Sequence, residues 1–200
     1  DHFAPYVLTE DVTRHAGDFF GIVGGAYRAY LRETNHNTDK FALSPLFSSV
    51  SDESFRVRFD LRYVKCTFGM GMSIVFWPGG RPVSYRDSGF NVRMHGNDHG
   101  NGYKIQLEDA GRTHRSQNTP PLDRNSCYEV TITYHHDTES ADFRLVERTT
   151  GELFFEQEGI PFDPGRFSRI ALGVFSRGGG DGTDAEMRID NISIVTDFDE

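Results

Sequence analysis

The chain is poor in the features that mark most other protein classes. Among 200 residues it has two cysteines, Cys66 and Cys127, too few for a disulfide-dense scaffold. An oxidising compartment would allow one bridge between them, and two buried thiols fit the sequence equally well. No stretch approaches the roughly 18 consecutive apolar residues of a membrane helix, so no membrane insertion is expected. A basic region followed by an apolar one is absent at the start, and an opening on Asp1 rather than Met reads as processing or excision. Basic residues are outnumbered: Lys and Arg total 21 against 30 Asp and Glu, a formal net charge of −9. A phosphate-neutralising field is therefore not expected, which argues against nucleic acid as a partner. There is no P-loop, dinucleotide fingerprint, Gly-x-Ser-x-Gly or Cys-x-x-Cys. Long helical periodicity and internal repeats are also lacking.

Aromatic residues and glycine are abundant, with 17 Phe, 8 Tyr and 21 Gly. Such usage suits pleated, half-buried strands joined by turns, and the length suits one large all-β domain over residues 1–200. Phe55, Val57, Phe59, Leu61 and Tyr63 alternate with Arg56, Arg58, Asp60 and Arg62, a period of two that defines a strand with one core face. Phe68, Met70, Met72, Ile74 and Phe76 form the next inward set, opposite Gly69, Gly71, Ser73, Val75 and Trp77. Phe90 to His95 and Tyr103 to Glu108 read as a hairpin with Asn91, Arg93, His95, Lys104, Gln106 and Glu108 on its polar face. Tyr128, Val130, Ile132 and Tyr134 alternate in the same way. Phe143 and Phe155 lie on a further hairpin that turns at Thr149-Thr150-Gly151.

Gly24-Gly25 marks a turn between two short N-terminal strands, Asn35 to Asp39 reads as a polar loop, and Ala110 to Asn125 as a long one. In Ala185 to Val195, Met187 and Ile189 alternate with charged neighbours. Asp190-Asn191 then breaks the phase, and Ile192 and Ile194 resume it, as a strand with a bulge or a cation ligand would. This closing strand is expected beside Asp1-His2-Phe3. Roughly twelve strands at this spacing call for a sandwich or barrel.

The strands Phe55 to Tyr63 and Tyr128 to Tyr134, the aromatic hairpin Phe143 to Phe155 and the ending Met187-Arg188-Ile189-Asp190-Asn191-Ile192-Ser193-Ile194 resemble the concanavalin A-like lectin/glucanase superfamily. The resemblance implies a jelly-roll β-sandwich of two antiparallel sheets that binds a polysaccharide or oligosaccharide on the concave face of one sheet. It also implies an extracellular or periplasmic setting, with other domains of a larger chain as partners. Some members are polysaccharide lyases or glycoside hydrolases, and an interaction domain with no sugar site is a further alternative. A laminarinase-like Glu-x-Asp-x-x-Glu or Glu-x-Asp-x-Glu strand is absent, which disfavours a retaining hydrolase needing two carboxyls about 5 Å apart.

Sugar recognition wants an aromatic platform and planar polar side chains, and Ser73, Trp77, Asn91, Arg93, His95, Lys104 and Gln106 supply both. A lyase would use His95 or Tyr85 as base and Arg93 or Gln106 to neutralise a uronate. His95-Gly96-Asn97-Asp98-His99 holds zinc-type ligands, although Asn, Asp and Gly also build loops. A structural calcium ion at Asp190 with Asp1 follows from the resemblance; Asp181 and Asp184 are an alternative pair, and a bulge-capping Asp190 is the structural one. Arg56, Arg58 and Arg62 form a basic stripe that either reads anionic groups or pairs across the sheet.

Overall fold

The computed structural model describes residues 7–8, 19–23, 26–31, 37–44, 46–65, 70–79, 90–96, 103–110, 117–123, 126–177 and 185–196. Fourteen strands run through them: β1 (Val7–Leu8), β2 (Phe19–Val23), β3 (Ala26–Leu31), β4 (Asn37–Leu43), β5 (Phe55–Lys65), β6 (Met70–Trp77) and β7 (Phe90–Gly96), then β8 (Tyr103–Glu108), β9 (Gln117–Asn118), β10 (Cys127–His135), β11 (Ser140–Glu147), β12 (Leu153–Pro161), β13 (Arg169–Arg177) and β14 (Ala185–Val195). The one helical element among the described residues is a 3-10 turn at His136–Thr138.

The strands form two seven-stranded antiparallel sheets. The first has the order β1-β4-β13-β6-β7-β8-β9 and the second β12-β11-β10-β5-β14-β3-β2. Period-two patterning decides which side of each faces inward. In β5, Phe55, Val57, Phe59 and Leu61 are buried, while Arg58 and Arg62 on the other face are exposed. In β10 the same rule buries Tyr128, Val130, Ile132 and Tyr134.

Aromatic rings join the two inner faces. Phe76 of β6 stacks on Phe90 of β7 at 4.0 Å, and Phe55 of β5 meets Phe90 across the core at 5.7 Å. Phe167, fully buried, stands edge-on to Phe55, Phe76 and Phe90 at 5.2, 5.4 and 5.4 Å. It is held by a backbone bridge to Val50. Burying each such ring contributes about 1.5–3 kcal/mol, and the edge-on geometry adds to that.

Two local readings change in the fold. The polar stretch Asn37-Thr38-Asp39 is strand rather than loop, because β13 extends to Arg177 and pairs with β4 through Arg177↔Asn37. The long segment after Glu108 returns as β9, where Asn118 pairs with Gln106, and Thr119 completes the edge. There the Thr119 N–H donates to the Ile105 carbonyl, and the Ile105 N–H donates to Thr119 Oγ1, both at 3.0 Å. The closing strand β14 runs between β3 and β5 within the second sheet. Its phase slip is a bulge, with the register shifting between Asp190 and Ser193 and Asn191 held at φ +53°. Its expected neighbour Asp1-His2-Phe3 lies outside the described residues.

Candidate functional site

Directly opposed residues of an antiparallel pair share a face of the sheet. The registers therefore build the outward face of the first sheet row by row. One row runs Asn118–Gln106–Arg93–Ser73–Gly173–Phe41, and the next Glu108–Asn91–Val75–Ala171–Leu43. Trp77 faces Arg169, and His95 is flanked by Gly71 and Lys104. Ser73, Trp77, Asn91, Arg93, His95, Lys104 and Gln106 thus occupy positions on a single face, contributed by β6, β7 and β8.

Exposure across that face is graded. Ser73 and Asn91 are buried at 0% and 2%, and Trp77 is only 7% exposed, so its ring is not an open platform. Arg93, Lys104, Gln106 and Glu108 are half-buried, and the reachable part lies over β7 and β8. Arg93 Nη1 donates to Glu108 Oε1 at 2.7 Å, a diagonal cross-strand pair that orients the guanidinium. Beneath it, Ser73 Oγ, Trp77 Nε1 and Asn91 Oδ1 are buried with no hydrogen-bond partner among the described residues. An unpaired buried polar group costs about 1–3 kcal/mol, so three on one face need a physical account.

Arg169 belongs to this face and was missed in the sequence. The signal was present, since Arg169 has the parity of Ala171 and Gly173, opposite the inward Ile170 and Leu172. Tyr85, Asp98 and His99 lie outside the described residues, as do Asp1, Asp181, Asp184 and Cys66. Of His95, the backbone position alone is described. Cys127 carries a free thiol that burial pushes above the ordinary thiol range.

At Asp190, Oδ1 accepts the N–H of Asn191 at 2.8 Å, which is bulge capping. Among the described residues no three His, Cys, Asp or Glu side chains gather as a metal site. The residues beside Asp190 do not by themselves fit a calcium ion, because Asp60 opposite it is already committed. Its Oδ1 accepts from Arg148 Nη2 at 2.7 Å and Nε at 2.8 Å, and its Oδ2 from Asn191 Nδ2 at 2.7 Å.

The Arg56, Arg58 and Arg62 stripe splits in the same lattice. Arg56 donates to Thr133 Oγ1 at 3.3 Å, and Arg58 lies 3.8 Å from Glu129. Arg62 is exposed, opposite Cys127. Arg148 also reaches Glu129 at 3.1 Å, and its pKa is raised chiefly by its hydrogen bond to Asp60.

Two cavities are away from the polar face. One of about 390 Å³ at an end of the sandwich is lined by Asp52, Tyr134, His136, Glu139 and Asp163 among others, and burial, reinforced by Glu139, Asp163 and Asp52, pushes the Tyr134 phenol up. The other, about 540 Å³, is lined mainly by Leu46, Phe47, Ile170, Ile192 and Ile194.

No protein-family description matches this sequence, and no curated protein matches it either. Solved structures do match. The VIP36 exoplasmic/lumenal domain in its Ca2+/Man3GlcNAc-bound form superposes with a TM-score of 0.64 at 10% identity, over 92% of this chain and 85% of that one. Peanut lectin with a nonapeptide gives 0.55 at 11% identity, over 97% and 100%. A sialidase gives 0.57 at 11% identity over 96% of this chain, which spans only 17% of the sialidase. What the chain shares with these proteins is its fold, the concanavalin A-like, lectin-type jelly-roll sandwich.

Proposed function

We propose that residues 1–200 form a single carbohydrate-binding module of an extracellular or periplasmic protein, with the sugar on the outward face of the first sheet. The observation that carries the reading is the set of unpartnered polar atoms, Ser73 Oγ, Trp77 Nε1 and Asn91 Oδ1, beneath a half-buried polar row. Water held beneath a hydroxyl-rich ligand would satisfy a donor, an acceptor and a hydroxyl together. Arg93, held by Glu108, and Gln106 beside it are the reachable contacts, with Lys104 and His95 at the margin. Two structurally similar proteins are solved as sugar complexes, VIP36 with Man3GlcNAc and the lectin UEA-II with galactose. Calcium enters the reading through the Ca2+-bound form of VIP36, and here it would need ligands beyond Asp190, Asp1 being the expected one.

A glycan array followed by titration of the best oligosaccharide tests the proposal. Gln106→Ala and Arg93→Ala should each weaken binding about tenfold or more, as loss of a charge-assisted or bidentate contact does. Unchanged affinity in both variants, or no glycan bound by the folded wild type, sinks it. Release of unsaturated or reducing ends would move the reading to an enzyme.

A further inference from the structure

The tyrosines at the two ends of β10 are both buried, and their hydroxyls fare differently. Tyr128 accepts the Asp123 N–H at 2.9 Å. Tyr134 is only 6% exposed, with its ring 5.3 Å from Phe55 and 6.3 Å from Phe162, yet its hydroxyl makes no hydrogen bond among the described residues. A buried tyrosine ordinarily finds a partner for its O–H. Tyr134 instead lines the cavity of about 390 Å³ at the end of the sandwich, so its hydroxyl is left to whatever occupies that space.

The lining has an apolar floor and an acidic rim. Val50, Phe55 and Pro164 are buried with Tyr134, whereas Asp52, Glu53, Glu139 and Asp163 are exposed. Asp163 accepts the Gly165 N–H through Oδ1 at 2.8 Å, and the other three carboxylates make no ion pair among the described residues. Against these four carboxylates stands one guanidinium, Arg166, whose Nε donates to Ser49 Oγ at 2.6 Å. The exposed His136 ring lies 6.4 Å from Tyr134. The field over the opening is therefore negative and favours a cation.

The carboxylates surround the opening without converging. Among the described residues no three acidic or imidazole side chains gather as a metal site. A cation with N–H donors in several directions and a carbon frame suits such walls better than a bare ion, since it meets the rim and covers the floor together. Burial, reinforced by Glu139, Asp163 and Asp52, keeps the phenol protonated, with a lone pair to accept an N–H and a proton to donate to a hydroxyl.

We propose that this cavity binds a small organic cation, a primary ammonium on a short carbon frame, with Asp52 and Glu139 holding the charge and the Tyr134 hydroxyl taking a polar group of the ligand. An aliphatic amine and an amino sugar are the two sources of that chemistry. The site is away from the face formed by β6, β7 and β8 and does not depend on the sugar-binding reading.

The test is calorimetric titration of the 200-residue chain in about 0.1 M salt, where long-range attraction is largely screened. The probes are cadaverine and glucosamine, each beside a neutral counterpart, pentanediol and N-acetylglucosamine. At least one amine should saturate with one ligand per chain, about tenfold or more tighter than its counterpart. Tighter binding of cadaverine marks an aliphatic amine as the source, and tighter binding of glucosamine an amino sugar. Asp52→Asn and Glu139→Gln should each weaken it about threefold, as loss of a partly exposed charge pair does. Tyr134→Phe should weaken it about fivefold while the unliganded protein melts no lower than the wild type, because the hydroxyl it deletes has no partner to lose.

The proposal fails if neither amine saturates, or if amine and neutral counterpart bind equally. It fails too if Tyr134→Phe binds as well as the wild type, for then the rim merely concentrates cations. A lower melting temperature in unliganded Tyr134→Phe would show the hydroxyl already in use and overturn it as well.

Discussion

The two outward faces of the sandwich are built from the same kind of alternating strand and hold opposite electrostatic arrangements. On the second sheet most described charges are closed into pairs. Arg148 bridges Asp60 and Glu129, Arg144 meets Glu156 at 3.2 Å, and His135 Nε2 is 2.9 Å from Asp142 Oδ2. On the first sheet, among the described residues, one ion pair, Arg93–Glu108, stands above three buried polar atoms with no partner. A face whose polar groups satisfy one another has little to offer a ligand. A face that holds uncompensated donors and acceptors away from water keeps binding capacity at the expense of stability.

Several substitutions would break or sharpen the contrast. The largest effect belongs to the frame that both faces share. Phe167→Ala removes the ring that touches Phe55, Phe76 and Phe90 and should cost about 3–5 kcal/mol by urea unfolding. Next, the two faces should respond in opposite directions. Ser73→Ala deletes an unpaired hydroxyl and should leave the unliganded protein equally stable or up to about 1 kcal/mol more stable, while weakening glycan binding. Arg148→Ala opens a closed network and should destabilise by about 1 kcal/mol, discounted for its exposure, with glycan binding unaltered. If both changes destabilise equally, the contrast between the faces is wrong.

At Asp190, replacement by Ala should cost about 1 kcal/mol through the lost cap, and by Asn much less, since an amide oxygen can still accept the Asn191 N–H. Should Asp190→Asn instead melt lower, with calcium stabilising the wild type and not the variant, the carboxylate is a cation ligand.

The smallest effect is a pH dependence in the hairpin turn. Glu147 accepts the Thr150 N–H at 2.7 Å, which holds its carboxyl below the usual range. A depressed folded pKa contributes stability above the unfolded value near 4.3, and that contribution disappears as pH falls through the folded one. Glu147→Gln should flatten this slope between about pH 5 and 3, measured by unfolding at each pH.

Much of this was legible in the chain because strand parity is local. Phe55 to Leu61 and Tyr128 to Tyr134 declare their inner faces residue by residue, and the hairpin from Phe90 to Glu108 carries its own register. Sheet membership is not local. Nothing near Asn37 reveals that Arg177 will pair with it, and Arg28, Arg62 and Arg188 become neighbours only once β14 settles between β3 and β5. The basic stripe read along β5 splits between partners on β10, Thr133 for Arg56 and Glu129 for Arg58, a cross-strand matter that the run itself does not show. Burial of Trp77 was equally hidden, because cover over a sheet face is a tertiary matter that alternation cannot express.

The bulge in β14 has a consequence for chain length. Between Asp190 and Ser193 the strand has one residue more than its partner between Asp60 and Arg58, while Ile189 before the slip is opposite Leu61 and Ile194 after it opposite Val57. Asn191 is thus a surplus letter in a text that reads correctly on either side of it. Deleting it would leave every apolar word in place. A β-branched residue there would keep the spelling length and force an unsuitable conformation at positive φ. Shortening the strand by one should therefore be gentler than Asn191→Val, so the closing strand tolerates losing a residue better than exchanging it.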